Sequence, residues 1–335
     1  MKNYGIRHFQ NANIENFTSE KGMDIRKKIN VLLRPILKAT IKGKLTLSQF
    51  KEPKKMIKAL TKGGLIIDNY PKLEKDEPYI FVSLHNFVDD TMANLATIDR
   101  NAYLLFGTTD QLEVNPEMYA AWLNGFIYVD REDKENRKDS LLKMKKVLDN
   151  GNSVLIFAEG GLNNTENLFC QKLFASPYIL SKMTGAKVVP IAPLYEFGSD
   201  TIYMNVGDPI DLSIYEDKKE ALLDLRDILS TLLYESLLKH SEPMIRSELG
   251  AHPRLDFMEQ RRQEYMKTKW TKDVWEEELT RYLDKKEIEY NKAEESMDNI
   301  KITSENASIM GPILVKRLEA KKYNFKNYMH ENWNK

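Results

Sequence analysis

A single cysteine, Cys170, stands among 335 residues. One thiol excludes an internal disulfide framework and fits a reducing compartment. There is no CxxC and no clustered metal-ligand spacing, so a bound metal is not foreseen. No apolar stretch reaches the roughly 18 uninterrupted residues that a membrane-spanning helix needs, and residues 1–17 hold no apolar core of signal-peptide length. The expectation is a protein that is soluble or peripheral to a membrane, on the cytoplasmic side. Gly-x-Ser-x-Gly is also missing, which speaks against a serine hydrolase passing through an acyl-enzyme. Overall charge cancels, with 50 basic and 50 acidic residues, so total charge points to no partner.

The distribution of charge is more informative. Residues 21–62 carry 13 Lys and Arg against only Asp24 and Glu52. Within that run Ile25, Ile29, Leu32, Leu33, Ile36 and Ile41 recur near helical spacing, with Arg26, Lys27, Lys28, Arg34, Lys38 and Lys42 filling much of the rest. Pro35 interrupts the pattern and is expected to kink it. A basic amphipathic helix of this kind suits an anionic leaflet, each Lys or Arg near the surface contributing about 1 kcal/mol before screening. The bland alternative is a helix packed on the domain with a solvated outer face. No recognition motif accompanies the charge, so nucleic acid is not an expected partner.

The middle of the chain alternates short apolar runs with amphipathic stretches. Residues 79–82, 102–106, 126–129, 154–157, 187–197 and 202–206 read as strands, the last as an antiparallel partner of the one before it. Residues 91–98, 116–124, 140–149, 173–183 and 215–240 read as helices, with Asn150-Gly151 closing the third. The pattern is α/β, with a mixed central sheet flanked by helices. Three regions follow: a basic amphipathic segment over 1–70, an α/β domain over 71–240, and a charged helical extension over 241–335. That extension balances 18 basic against 18 acidic residues. It reads as a lid or strut on the domain, or else as a docking module for a partner or substrate carrier.

Chemistry concentrates at strand ends. His85 follows the run Tyr79-Ile80-Phe81-Val82, and Asp90 comes five residues later where a helix begins. A carboxylate there can fix the imidazole tautomer and stabilise the imidazolium formed when the ring accepts a proton, which makes His85 a candidate general base and Asp90 its orienting acid. The neighbouring Asp89 reads as a helix cap. Glu159 follows Leu155-Ile156-Phe157 and precedes Gly160 and Gly161, so a carboxylate faces backbone that can approach a ligand closely.

Four segments in order carry a resemblance. They are His85 through Asp90, Gly125-Phe126-Ile127-Tyr128-Val129-Asp130-Arg131, Phe157-Ala158-Glu159-Gly160-Gly161, and Val188-Val189-Pro190-Ile191-Ala192-Pro193. Spaced in this way they resemble the sequence blocks of the glycerolipid acyltransferases, the first block there being His, four residues, Asp. The resemblance spans residues 79–210, with Val206-Gly207-Asp208-Pro209-Ile210 as its close. It implies a glycerol-phosphate acyltransferase-like fold and an O-acyltransferase in which His85 acts as base with Asp90. It also implies that Arg131 binds an acceptor phosphate, while Glu159, Gly160 and Gly161 shape the acceptor site. Pro190 and Pro193 read as shaping the strand end beside it.

One departure matters for the acceptor. The usual Phe-Pro-Glu-Gly-Thr-Arg-Ser is Phe157-Ala158-Glu159-Gly160-Gly161-Leu162-Asn163 here, so Leu162 replaces a second phosphate-binding Arg. Lys172 is a candidate for the missing charge. The reading is transfer of a fatty acyl group from an acyl thioester, acyl-CoA or acyl carrier protein, to a hydroxyl of a lysophospholipid or glycerol-phosphate-type acceptor, with no metal or redox cofactor required. The alternatives are an acyltransferase or hydrolase acting on a sugar, amino-acid lipid or secondary metabolite, and a non-catalytic membrane-associated binding protein.

Overall fold

The computed structural model describes residues 17–47, 64–86, 90–107, 124–130, 133–161, 163, 169–196 and 201–240. The chain divides into two units, Met1–Leu162 with Leu173–His240, and Asn163–Lys172 with Ser241–Lys335. Most of the second unit, including the helical extension expected over 241–335, lies outside the described residues. Its described residues include Asn163, whose amide oxygen accepts a bond from Gln171 Nε2 at 3.4 Å.

The first unit is built on a seven-stranded mixed sheet. In chain order its elements are α1 (Glu20–Leu47), β1 (Gly64–Asn69), β2 (Tyr79–Ser83), α2 (Asp90–Thr97), β3 (Ala102–Phe106), β4 (Phe126–Tyr128), α3 (Lys134–Asp149), β5 (Ser153–Ile156), α4 (Ser176–Thr184), β6 (Lys187–Glu196), β7 (Thr201–Val206) and α5 (Lys218–His240). The strand order is β1-β7-β6-β2-β5-β3-β4. Every neighbouring pair is parallel except β6 and β7, which are antiparallel with Ile191 opposite Val206. The five strands from β6 to β4 therefore run one way, and β1 and β7 run the other.

Central strands are covered on both faces, which is why they read as unbroken apolar runs. All five residues of β2 and all four of β5 are buried. The parallel crossovers are right-handed by rule, which assigns α2 to one face and α3 and α4 to the opposite one. The contacts agree, with α1 on α2, α3 on α4, and α5 against β6 and β7.

Within the described residues, the strands and helices expected from periodicity are present, with shifted ends. The third expected helix begins at Lys134, six residues early, because Asp133 caps it by accepting from the Glu135 and Asn136 N–H groups. Its polar first turns hide it from an apolar pattern. The fourth begins at Ser176, with Pro177 at its start, so Leu173 and Phe174 precede the helix. The last begins at Lys218. The helix expected over 116–124 falls outside the described residues except for Asn124. Gly64–Asn69, on the N-terminal side of the boundary placed at residue 70, is an edge strand in parallel register with β7.

Helix α1 continues through Pro35. It docks through a mixed face, in which Met23 and Asn30 are buried and the Arg26 guanidinium lies 3.6 Å from the centre of the Phe17 ring. Phe17 packs edge-on against Phe126 and accepts a bond from Tyr103 Oη on its carbonyl at 2.8 Å. Asn30 Nδ2 donates to Asn124 Oδ1 at 2.7 Å. Arg34 donates to Asn30 Oδ1 and to the Ile98 carbonyl, and burial lowers its pKa to about 10 against the opposing pull of Asp99. Ile25, Val31 and Leu32, by contrast, face outward, the last two at 68% and 75% exposure.

Candidate active site

The carboxyl ends of β2 and β5 meet at one rim. These strands are neighbours in the sheet, yet the connection after β2 leads to β3 on one side and the connection after β5 leads to β6 on the other. A crevice opens where connections diverge in this way, and ligands of open α/β sheets bind outside the strand ends there. His85 follows β2, and Glu159 follows β5.

The two ends are tied together at His85. Its Nδ1 lies 3.0 and 2.9 Å from the two carboxylate oxygens of Asp90. Asp90, the first residue of α2, is fully buried, and its Oδ2 also accepts the Asn86 N–H at 2.8 Å. A negative charge at a helix N-terminus is favoured by the helix dipole. An ionised carboxylate facing Nδ1 makes that nitrogen the protonated one, leaving Nε2 with the basic lone pair. The His85 side chain keeps 22% of its surface exposed, so the ring is anchored on one side without being sealed.

Glu159 is buried, and its Oε1 accepts the backbone N–H of His85 at 3.0 Å. Phe157, on the same turn, stacks on the imidazole with ring centres 4.3 Å apart. The third expected block thus holds the first block through both a side-chain carboxylate and a ring. The fourth block joins through Asn86, whose Nδ2 donates to the Pro193 carbonyl at 3.2 Å, and through the Leu84 N–H bonded to the Ile191 carbonyl at 3.1 Å.

Gly160 adopts φ of +77°, where a side chain is strained. A β-carbon there would fall 2.3 Å from Cε2 of Phe174. Among the residues foreseen from the sequence, His85, Asp90, Glu159 and Gly160 come together, with Gly161 next in the same turn. Arg131 lies outside the described residues, as do Asp89 and Leu162. Lys172 is exposed and belongs to the second unit.

Four contributors went unforeseen. Asn86 and Phe157 sit inside the quoted blocks, and their partners 107 and 72 positions away leave no local signature. Behind the pair, buried Asn94 Nδ2 donates to Ser83 Oγ at 2.9 Å and to the Asp90 carbonyl at 2.8 Å. Asn94 stands four residues after Asp90, one helical turn along the same face, which is the signal that was available. Among the described residues, no group of three or more His, Cys, Asp or Glu side chains gathers that could hold a metal ion.

Comparison with known proteins bears on these same residues. Residues 65–194 match the family model Acyltransferase. That segment runs from β1 into β6 and contains His85, Asp90 and Glu159. Among solved structures, the chain is similar to the crystal structure of the 1-acyl-sn-glycerophosphate (LPA) acyltransferase PlsC from Thermotoga maritima. The two are 15% identical with a TM-score of 0.43, and the match covers 66% of this chain and 100% of that one. No curated protein matches the chain.

Proposed function

We propose that the acyltransferase domain at residues 65–194 moves a fatty acyl group from an acyl thioester, acyl-CoA or acyl carrier protein, onto a hydroxyl of a lysophospholipid or glycerol-phosphate-type acceptor. The observation that carries this reading is the His85 Nδ1 to Asp90 carboxylate pair, at 2.9 and 3.0 Å, on the rim where Glu159 holds the His85 backbone.

The chemistry follows from that geometry. Asp90 keeps the Nδ1 proton, and Nε2 takes the proton of the acceptor hydroxyl as its oxygen attacks the thioester carbonyl. The new C–O bond forms as the carbonyl π electrons move onto oxygen. Collapse of the tetrahedral adduct breaks the C–S bond, and the departing thiolate takes up the proton held by His85. The ring returns to its starting state with no covalent enzyme intermediate. Asp90 contributes by stabilising the transient imidazolium, and a base so placed is worth roughly 10²- to 10⁴-fold in rate.

The protein is proposed to work at the cytoplasmic surface of an anionic membrane, with α1 as the contact. Support comes from the way α1 is turned. Its polar residues Arg26, Asn30 and Arg34 face the domain, while Val31 and Leu32 stand exposed beside Lys27 and Lys28. Among the described residues no helix is long and apolar enough to cross a membrane. A second reading, transfer to a non-glycerolipid acceptor, is favoured by Leu162 in place of a phosphate-binding Arg.

Thiol release from long-chain acyl-CoA and acyl carrier protein, followed across lysophosphatidate, other lysolipids, glycerol 3-phosphate and sugars, tests the proposal. Acceptor-stimulated release that falls at least about 10²-fold in His85→Ala is the expected outcome. Release needing no acceptor identifies a hydrolase. Stimulation by sugars alone selects the second reading, and no release with any donor identifies a binding protein.

A further inference from the structure

The turn that supports His85 also carries a residue the reaction above does not use. Phe174 is 62% exposed, although a phenyl ring gains more from burial than almost any other side chain. Its position is nonetheless built. The Phe174 N–H donates to the Ala158 carbonyl at 2.7 Å, and the Gly160 N–H closes the turn on the Phe157 carbonyl at 3.0 Å. The ring edge occupies the space that a β-carbon on Gly160 would fill, with Cε2 and Cδ2 at 2.3 and 2.9 Å from that point. The missing side chain at Gly160 is therefore the seat of the ring.

The surroundings say what the ring meets. One four-residue turn presents Phe157 stacked on the imidazole, Glu159 bonded to the His85 backbone, and Gly160 under Phe174. The open ring thus stands one residue from the carboxylate that touches the proposed base. The open face of the Phe174 ring is thus an apolar surface on the turn that supports His85.

We propose that Phe174 is a specificity-determining contact for the acyl chain of a lysolipid acceptor, its exposed face being covered when that chain lies along the Gly160 turn. The proposal rests on the acyl-transfer reading. It makes acceptor affinity depend on chain length through one ring, because each methylene that gains apolar cover strengthens binding.

The test uses the full chain and a series of 1-acyl lysophosphatidates and lysophosphatidylcholines with chains of about 6 to about 18 carbons, presented at constant surface fraction in mixed micelles. In Phe174→Ala, KM for the longest acceptors is expected to rise about tenfold and KM for the shortest less than about twofold, so that the dependence on length flattens. Phe174→Leu, which restores an apolar group, should recover most of the dependence. An equal KM rise at every length, or a fall in kcat with KM unmoved, overturns the proposal. If the wild-type chain shows His85-dependent transfer and Phe174→Ala is indistinguishable from it, this inference alone fails. If no acceptor stimulates His85-dependent release, the acyl-transfer reading fails and takes this inference with it.

Discussion

Asp90 is a buried carboxylate whose oxygens both face the His85 ring. Replacing it with Asn keeps the size but removes the charge that selects the Nδ1-protonated tautomer. Asp90→Asn is therefore expected to lower kcat by roughly 10³- to 10⁴-fold with little change in KM, measured as acceptor-stimulated thiol release. A loss confined to KM would assign Asp90 to substrate binding instead. The rest of the cluster shows how far single residues reveal themselves. That His85, Asp90 and Glu159 would gather was legible because each follows a strand-like run or opens a helix, and because the blocks that hold them stand in register with those of a known family. Asn86 and Asn94 were not, because an amide earns its role only from the groups that folding brings opposite it. Phe174 reads as one more core aromatic until Gly160 is seen to occupy the place beneath it.

Among the elements, α5 carries one electrostatic cost. Burial raises the Asp227 carboxyl pKa to about 6, the adjacent Arg226 opposing and Asp224 adding to the shift, and its Oδ1 has no hydrogen-bond partner. A carboxyl whose folded pKa lies above its unfolded value binds protons more readily in the native state, so the fold gains stability as pH falls from about 6 toward about 4. Asp227→Asn should raise the melting temperature at pH 8, and the advantage should shrink toward zero near pH 4. Thermal denaturation across that range checks it, and an equal effect at both ends would locate the cost elsewhere. At this level the sequence revealed most of the sheet, since buried parallel strands must be apolar throughout. It concealed β1, whose partner β7 lies more than 130 residues away and supplies the reason for a strand there. It also concealed the orientation of α1. Apolar spacing identifies a stripe, but Ile25 and Leu32 on that stripe face outward because Arg26, Asn30 and Arg34 find Phe17, Asn124 and Ile98.

Taken entire, the chain is electrically neutral but unevenly so, and its outward apolar groups on α1 sit among cations. Flotation with vesicles containing anionic lipid should recover the protein at low salt and less of it as salt rises, because screening weakens surface attraction. Val31→Ser with Leu32→Ser removes exposed apolar surface without touching the docked face. The pair should lower the vesicle-bound fraction about tenfold while leaving the melting temperature in place. Unchanged flotation would mean that α1 is not the contact.

The reversed direction of β1 decides where the chain joins the sheet. Gly64 pairs with Thr201, which in turn faces Glu196 at the far end of β6, so β1 starts on the same rim from which His85 projects. The chain thus enters the sheet at the edge that carries His85. Lengthening or shortening the connection at Gly64 would therefore act at the edge that carries His85 and not at the opposite one.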